Sequence, residues 1–201
     1  MGTLSAARGN AEHVFQNVGI DFARPVYIRA NGCPTKPHIH LLTCLAVSAA
    51  HLQLVHDMSA DVVMQATKRF FTRRGIPRGI YSDNFRTFKR VAKDMQTVFD
   101  DCSQRKVQEH IASHRVTWKF ITERAPWAGG AWERLTLKKT LHKSLLIVEE
   151  MTTMLCEAES QINARPLTIV GDEPKEQELL TPFYFFHGRS PGTGPTVEQD
   201  S

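Results

Sequence analysis

Residues 39–47, IHLLTCLAV, form a near-continuous apolar run. It is too short for a typical helix and suits a strand buried on both faces. Such a strand needs partner strands beside it and packed layers above and below. Residues 15–29, FQNVGIDFARPVYIR, are β-branched and aromatic and read as a strand before it; ANGCPTKP at 30–37 is a loop, and HLQLVH at 51–56 alternates as a third strand. Three leading strands joined by short connections predict antiparallel hairpins.

Helices follow. Ser59 suits an N-cap, Asp61 the first turn, and Val62, Ala66 and Phe70 recur at spacing four. Arg73 and Arg74 precede Gly75 and Pro77, which end the helix. IPRGIYSD at 76–83 is a short strand ending on Asp83, and residues 85–114 are mainly helical, broken near Asp100–Ser103. Val116, Trp118 and Phe120 alternate as a further strand, and ERAPWAGGA at 123–131 is a loop. Leu137, Leu141, Leu145 and Val148 mark one helix face from Trp132 onward; Met151, Met154, Leu155, Ala158 and Ile162 mark another helix that stops before Pro166. Strands reached through helices predict parallel crossovers, so the class is α/β with a mixed sheet.

A chain of 201 residues suits one domain. No stretch approaches the ~18 uninterrupted apolar residues of a membrane helix, and no membrane partner is expected. Residues 1–13 read as a disordered lead-in without the apolar centre of a signal peptide, 14–170 as the core, and 171–201 as a tail. Within the tail, LTPFYFF is too apolar to stay in water and is expected to pack on the body; PGTGPTVEQDS reads as disordered. Cys33, Cys44, Cys102 and Cys156 are scattered, with no Cys-x-x-Cys pair, and reduced thiols are the simplest reading. No zinc spacing fits Cys33, His38, His40 and Cys44, although the two histidines would share a strand face. The net charge is +4; the tail from Gly171 carries six acids and two bases, −4, which leaves +8 on the rest. A basic body suits a polyanionic partner, although solvated surface lysine and arginine would give the same total.

Three acids stand out by position. Asp21 lies inside an apolar strand, Asp83 closes another, and Glu133 opens a helix after a glycine-rich loop. In-line phosphodiester attack uses two divalent ions, one at the attacking and one at the leaving oxygen, and magnesium prefers hard carboxylate oxygens. Each acid alone also has a plain structural reading: a hydrogen-bonded strand acid, a turn or cap at Asp83-Asn84, and a helix-dipole partner at Glu133.

The words around the acids, VGIDFARP (18–25), GIPRGIYSDNFRTF (75–88) and RAPWAGGAWERL (124–135), resemble the integrase catalytic core of Pao/BEL-type LTR retrotransposons. That family is similar to retroviral integrases and to the wider Asp-Asp-Glu transposases, and the resemblance runs from about Val14 to Arg189. It implies an RNase H-like fold, a mixed central sheet flanked by helices. It implies Asp21, Asp83 and Glu133 as catalytic metal ligands for two Mg2+ or Mn2+ ions, and 3′-end processing and strand transfer as the chemistry of a polynucleotidyl transferase. It also implies DNA partners (retroelement ends and target DNA), a homo-oligomer of two or more copies, and a nuclear site of action after the cytoplasm. Arg24 and Phe85 depart from the small residues usual at those places, and RLTLKKTLHKSLL after Glu133 is short by roughly two residues, a turn of roughly 200° in the downstream face. A degenerate or domesticated core that binds nucleic acid or a partner without chemistry, and an RNase H-type nuclease, are the alternatives.

Arg86, Lys89, Arg90 and Lys93 fall at helical spacing after Asp83; Lys138, Lys139, His142 and Lys143 do so after Glu133. Both stripes suit phosphate contact, and both would equally serve as solvated helix faces. Trp127 and Trp132 flank the glycine loop, where packing on the sheet is expected ahead of base stacking.

Overall fold

The computed structural model describes residues 13–23, 25–30, 32–104, 116–120, 146–170 and 178–188. In chain order the elements are β1 (Asn17–Ala23), β2 (Ile28–Ala30), β3 (Cys33–Thr35), β4 (His38–Cys44), β5 (Ala50–Val55) and α1 (Ala60–Arg74). They continue with β6 (Gly79–Ser82), α2 (Arg86–Gln104), β7 (Thr117–Phe120), β8 (Leu146–Ile147), α3 (Val148–Ala164), β9 (Thr168–Val170), β10 (Glu178–Leu180) and α4 (Pro182–His187).

Five strands form the main sheet in the order β5-β4-β1-β6-β7. The leading hairpins are antiparallel, β1 on β4 and β4 on β5, and the crossover strands are parallel, β6 on β1 and β7 on β6. This is the mixed α/β pattern expected from the sequence. β4 is the apolar run: six of its seven residues are buried, because it lies between β1 and β5 with helices over both faces. Pleating then sorts the side chains. Val18, Ile20, Leu42 and Ile80 face α1 and α2 with Phe70 and Phe88, whereas Ile39, Leu41 and Leu52 face α3 with Met151 and Leu155.

Several boundaries differ from the sequence reading. The strand predicted over 15–29 divides: β1 ends at Ala23, and Ile28–Ala30 joins a separate three-stranded sheet, β3-β2-β8. The loop ANGCPTKP accordingly contains β3, paired with β2 across a turn in which Gly32 adopts φ +79°. The strand predicted over 39–47 stops at Cys44, where Ser48 N–H donates to the Cys44 carbonyl and the chain turns into β5. The buried face of α1 is Val63, Ala66, Thr67 and Phe70, one position on from Val62. Ser59 stands at its N-cap without a side-chain cap bond; its N–H donates to Asp57 Oδ1 at 2.7 Å. α2 runs through Asp100–Ser103 without the expected break. Leu146–Ile147 is a strand where the leucine periodicity predicted helix through Val148, since it pairs in parallel with β2.

α3 opens with Glu150 Oε2 accepting from Ile147 N–H at 2.9 Å and ends at Ala164, ahead of Pro166. Residues 182–187 of the apolar tail segment form α4. Thr181 Oγ1 accepts from Tyr184 N–H, Gly188 closes the helix in the left-handed region, and Phe186 lies against the core beside Phe15.

Candidate active site

Parallel pairing of β1 with β6 matches Gly19 to Tyr81 and Ile20 to Ser82. One step further along each chain come Asp21 and Asp83. The two acids, 62 positions apart in sequence (83 minus 21), therefore reach neighbouring strand ends. Adjacent strands lie about 4.8 Å apart, so the two side chains share one locality. Gly79 helps set the pairing, because a Cβ there would fall 2.6 Å from Asn17 Oδ1 on β1.

Each carboxylate is oriented by its own backbone. Asp21 is half-buried, and its Oδ1 accepts from Phe22 N–H at 2.7 Å. Asp83 is exposed, and its Oδ1 accepts from Phe85 N–H at 3.0 Å, an Asx turn leading into α2. Behind it, Ser82 Oγ accepts from the Trp118 indole N–H at 2.8 Å and donates to the Asp83 carbonyl at 3.0 Å, tying β6 to β7.

Alternation along β1 explains why an acid is tolerated in this strand. Asp21 lies on the face with Gly19 and away from the aromatic side. Phe22 turns the other way and stacks on Phe88 of α2, with centroids 5.0 Å apart and planes 10° apart. Phe85 meets both rings edge-on at 6.4 and 6.3 Å while staying 41% exposed. On the Asp21 face, Lys119 places its Nζ 5.6 Å from the Tyr81 ring centroid. Sequence reading passed over this exposed lysine, although its odd position in the alternating strand 116–120 was a usable signal.

Arg86, Lys89, Arg90 and Lys93 are all exposed on α2. Arg90 pairs with Asp94 at 3.7 Å. Glu133, Lys138, Lys139, Lys143 and His142, with Trp127, Trp132 and Arg24, lie outside the described residues. Among the described residues no group of three or more His, Cys, Asp or Glu could hold a metal ion. In the cysteine–histidine set, Cys33 is exposed on β3, whereas Cys44 is buried and its Sγ accepts from Phe15 N–H.

His40 is fully buried beside Phe22, 5.5 Å between ring centroids. Burial, then the charges of His51 and Arg69, push its pKa down to about 3. It is a neutral core imidazole.

Among solved structures, the chain is similar to a chain of the simian T-cell lymphotropic virus intasome, solved in complex with PP2A regulatory subunit B56 gamma. The TM-score is 0.58 at 14% identity, over 95% of this chain and 61% of that one. The HTLV-2 integrase catalytic core domain in complex with magnesium matches in a trimeric form, with TM-score 0.51 and 14% identity over 89% of this chain and 100% of that one. Its dimeric form matches with TM-score 0.51 and 14% identity, over 90% of this chain and 100% of that one. The fold is RNase H-like, of the integrase-core kind. This integrase-fold domain thus spans 61% of the length of the intasome chain. No family model matches its sequence, and no curated protein matches it. In the integrase-type sheet, Asp21 and Asp83 each lie one residue beyond the last paired residues, Ile20 and Ser82, of the parallel strands β1 and β6.

Proposed function

We propose that this domain is the catalytic core of a retroelement integrase of the Pao/BEL type, performing metal-dependent DNA 3′-end processing and strand transfer. The register that brings Asp21 and Asp83 to neighbouring strand ends carries the reading. In it, Asp21 and Asp83, with Glu133 as third ligand, hold two Mg2+ or Mn2+ ions; the hard oxygens of such a donor set fit those cations. Bound there, the ions would activate the attacking oxygen and stabilise the leaving one.

The remaining work falls to the protein. Phe85 N–H engages only Oδ1 of Asp83, so the turn orients the carboxylate while the side chain faces solvent. Arg86, Lys89, Arg90 and Lys93, together with Lys138, Lys139 and Lys143, bind phosphates and hold the DNA in register without reading its sequence. The dimeric and trimeric HTLV-2 cores with magnesium support both the choice of ion and a homo-oligomer.

One observation favours a second reading, an integrase-fold domain that binds nucleic acid without chemistry: Phe85 places a bulky, part-exposed ring directly beside Asp83. Titrating Mn2+ by calorimetry into the folded protein, with duplex DNA present, separates the two. The enzyme reading expects binding that Asp83→Asn abolishes. Strand transfer should then fall by more than the roughly 100-fold that loss of an outer-shell partner can already cost. DNA binding with no metal uptake by either protein would sink it in favour of the second reading.

A further inference from the structure

Between the last strand of the sheet, β7, and α2 lies a cleft of about 300 Å3, lined by Lys89, Lys93, Met95, Gln96, Trp118 and Phe120 among others. Its floor is aromatic. The Trp118 and Phe120 rings stack with centroids 6.3 Å apart and planes 27° apart, and Phe88 continues the row 6.4 Å from Trp118. The indole is anchored by its bond to Ser82 Oγ. Phe120 ends the row and is 38% exposed, a large ring left facing water.

The rim is basic. Lys89 and Lys93 are exposed, and among the described residues neither forms an ion pair, in contrast to Arg90. Among the described residues no acidic side chain lines the cleft. A flat apolar platform beneath two uncompensated ammonium groups is complementary to a ligand with a planar face and flanking negative charge. A nucleotide within a single strand has both features; a base pair inside a duplex does not offer its ring face. Register places the cleft at the same end of the sheet as the carboxylates, because Phe120 is paired with Ser82, one residue before Asp83, but on the α2 face, opposite the one that carries Asp21.

We infer that this cleft takes an unpaired nucleobase of single-stranded DNA, with the Phe120 ring stacked on the base and Lys89 and Lys93 on the adjoining phosphates. The inference rests on the DNA-binding reading above and adds a preference that reading does not contain: recognition of a splayed strand next to the Asp21–Asp83 end of the sheet.

Fluorescence anisotropy with a labelled mixed-sequence oligonucleotide, single-stranded or annealed to its complement, tests it on the full chain. Phe120→Ala should weaken single-strand binding at least about 5-fold, the lower end of what one base–aromatic stack contributes. Phe120→Leu, which keeps apolar bulk, should do the same. Duplex binding should change less than about 2-fold in both, since paired bases are not available for stacking. Replacing Lys89 and Lys93 by Gln should lower the salt dependence of single-strand binding by about 1.4 in slope, for two phosphate contacts. Single-strand affinity unchanged in Phe120→Leu, with a wild-type melting curve, would overturn the cleft while leaving DNA binding intact. Failure of the wild-type chain to bind either oligonucleotide would overturn both.

Discussion

The two edges of the main sheet are finished in opposite ways. At β5 the edge is closed by side chains from α3. Asn163 behaves like a strand residue: its Oδ1 accepts from Ala50 N–H at 2.8 Å and its Nδ2 donates to the Ala50 carbonyl at 2.9 Å. Glu159 Oε2 then accepts from Leu52 N–H at 2.9 Å, while Arg74 donates to Oε1 at 2.6 Å and His51 Nδ1 lies 3.2 Å from the same oxygen. At β7, Thr117, Lys119 and Phe120 are exposed. An unpaired strand edge invites association with other chains unless it is covered or charged. One edge is covered by a buried polar network; at the other, among the described residues, Lys119 stands exposed beside the cleft. The closed edge serves stability, and the β7 edge, on the inference above, serves a ligand.

Glu159→Ala gives the largest test of that contrast. The Glu159 side chain is 14% exposed and that of His51 4%. Removing the carboxylate leaves the Leu52 N–H, His51 and Arg74 without their shared acceptor, and unpaired buried groups are costly. The expected loss is about 3 kcal/mol by urea unfolding. A loss under about 1 kcal/mol would show that Asn163 closes the edge alone. The pH response follows from the same contacts. Burial raises the Glu159 pKa, but the hydrogen bond and charge of His51, the Leu52 N–H and Arg74 together outweigh it and hold the carboxyl below its ordinary value. Its contribution is thus present above the unfolded-state pKa and disappears as pH falls through the lower folded one.

A smaller effect comes from His40 on β4, one strand in from the closed edge. Among the described residues its Nδ1 and Nε2 have no hydrogen-bond partner, and its neighbour in register, Gln53, spends its amide on His51, Ala66 and Arg69. The unfolded imidazole takes a proton below about pH 6.5, whereas the folded one resists until about 3. Across that window the unfolded state holds more protons, so stability falls as pH falls. His40→Leu removes this term. The variant should match wild type within about 1 kcal/mol at neutral pH and exceed it by about 2–3 kcal/mol near pH 4.5, compared by urea midpoints. Parallel acid curves for the two proteins would show that the imidazole is not the acid-sensitive group. Glu159 titrates in both proteins and cancels in the difference.

Much of the sheet was legible in the sequence because its signals are local. The apolar run of β4, the alternation of β5 and β7, and the Gly75–Pro77 stop after α1 each need only a short window. Asp21 and Asp83 could be flagged for the same reason, as acids inside or closing apolar segments. What could not be read joins distant positions. Asn163 meets Ala50 and Glu159 meets Leu52 across more than a hundred residues, and Glu159, next to Ser160 and Gln161 on α3, looks solvated by pattern. The β2–β3 hairpin was missed because Gly32, Pro34 and Pro37 signal a loop, whereas pairing with β8 supplies the order. The aromatic cleft needs α2 and β7 side by side, which no spacing within either element reveals.

Phe120→Ala should produce the smallest change in stability, and that is its value. In a packed core, removing a phenylalanine ring costs about 3–5 kcal/mol, because atoms are lost and a cavity remains. Phe120 is 38% exposed on β7 and, among the described residues, its ring stacks on Trp118. Water already reaches the ring and would fill the space, so the expected loss is below about 1 kcal/mol by urea unfolding. Combined with weaker single-strand binding in the same variant, that result would show an edge residue used on a ligand instead of on the fold. A loss near 3 kcal/mol would instead place Phe120 within the packed core, and the β7 edge would then be as closed as β5, with side chains from α2 in the part that α3 plays on the other side.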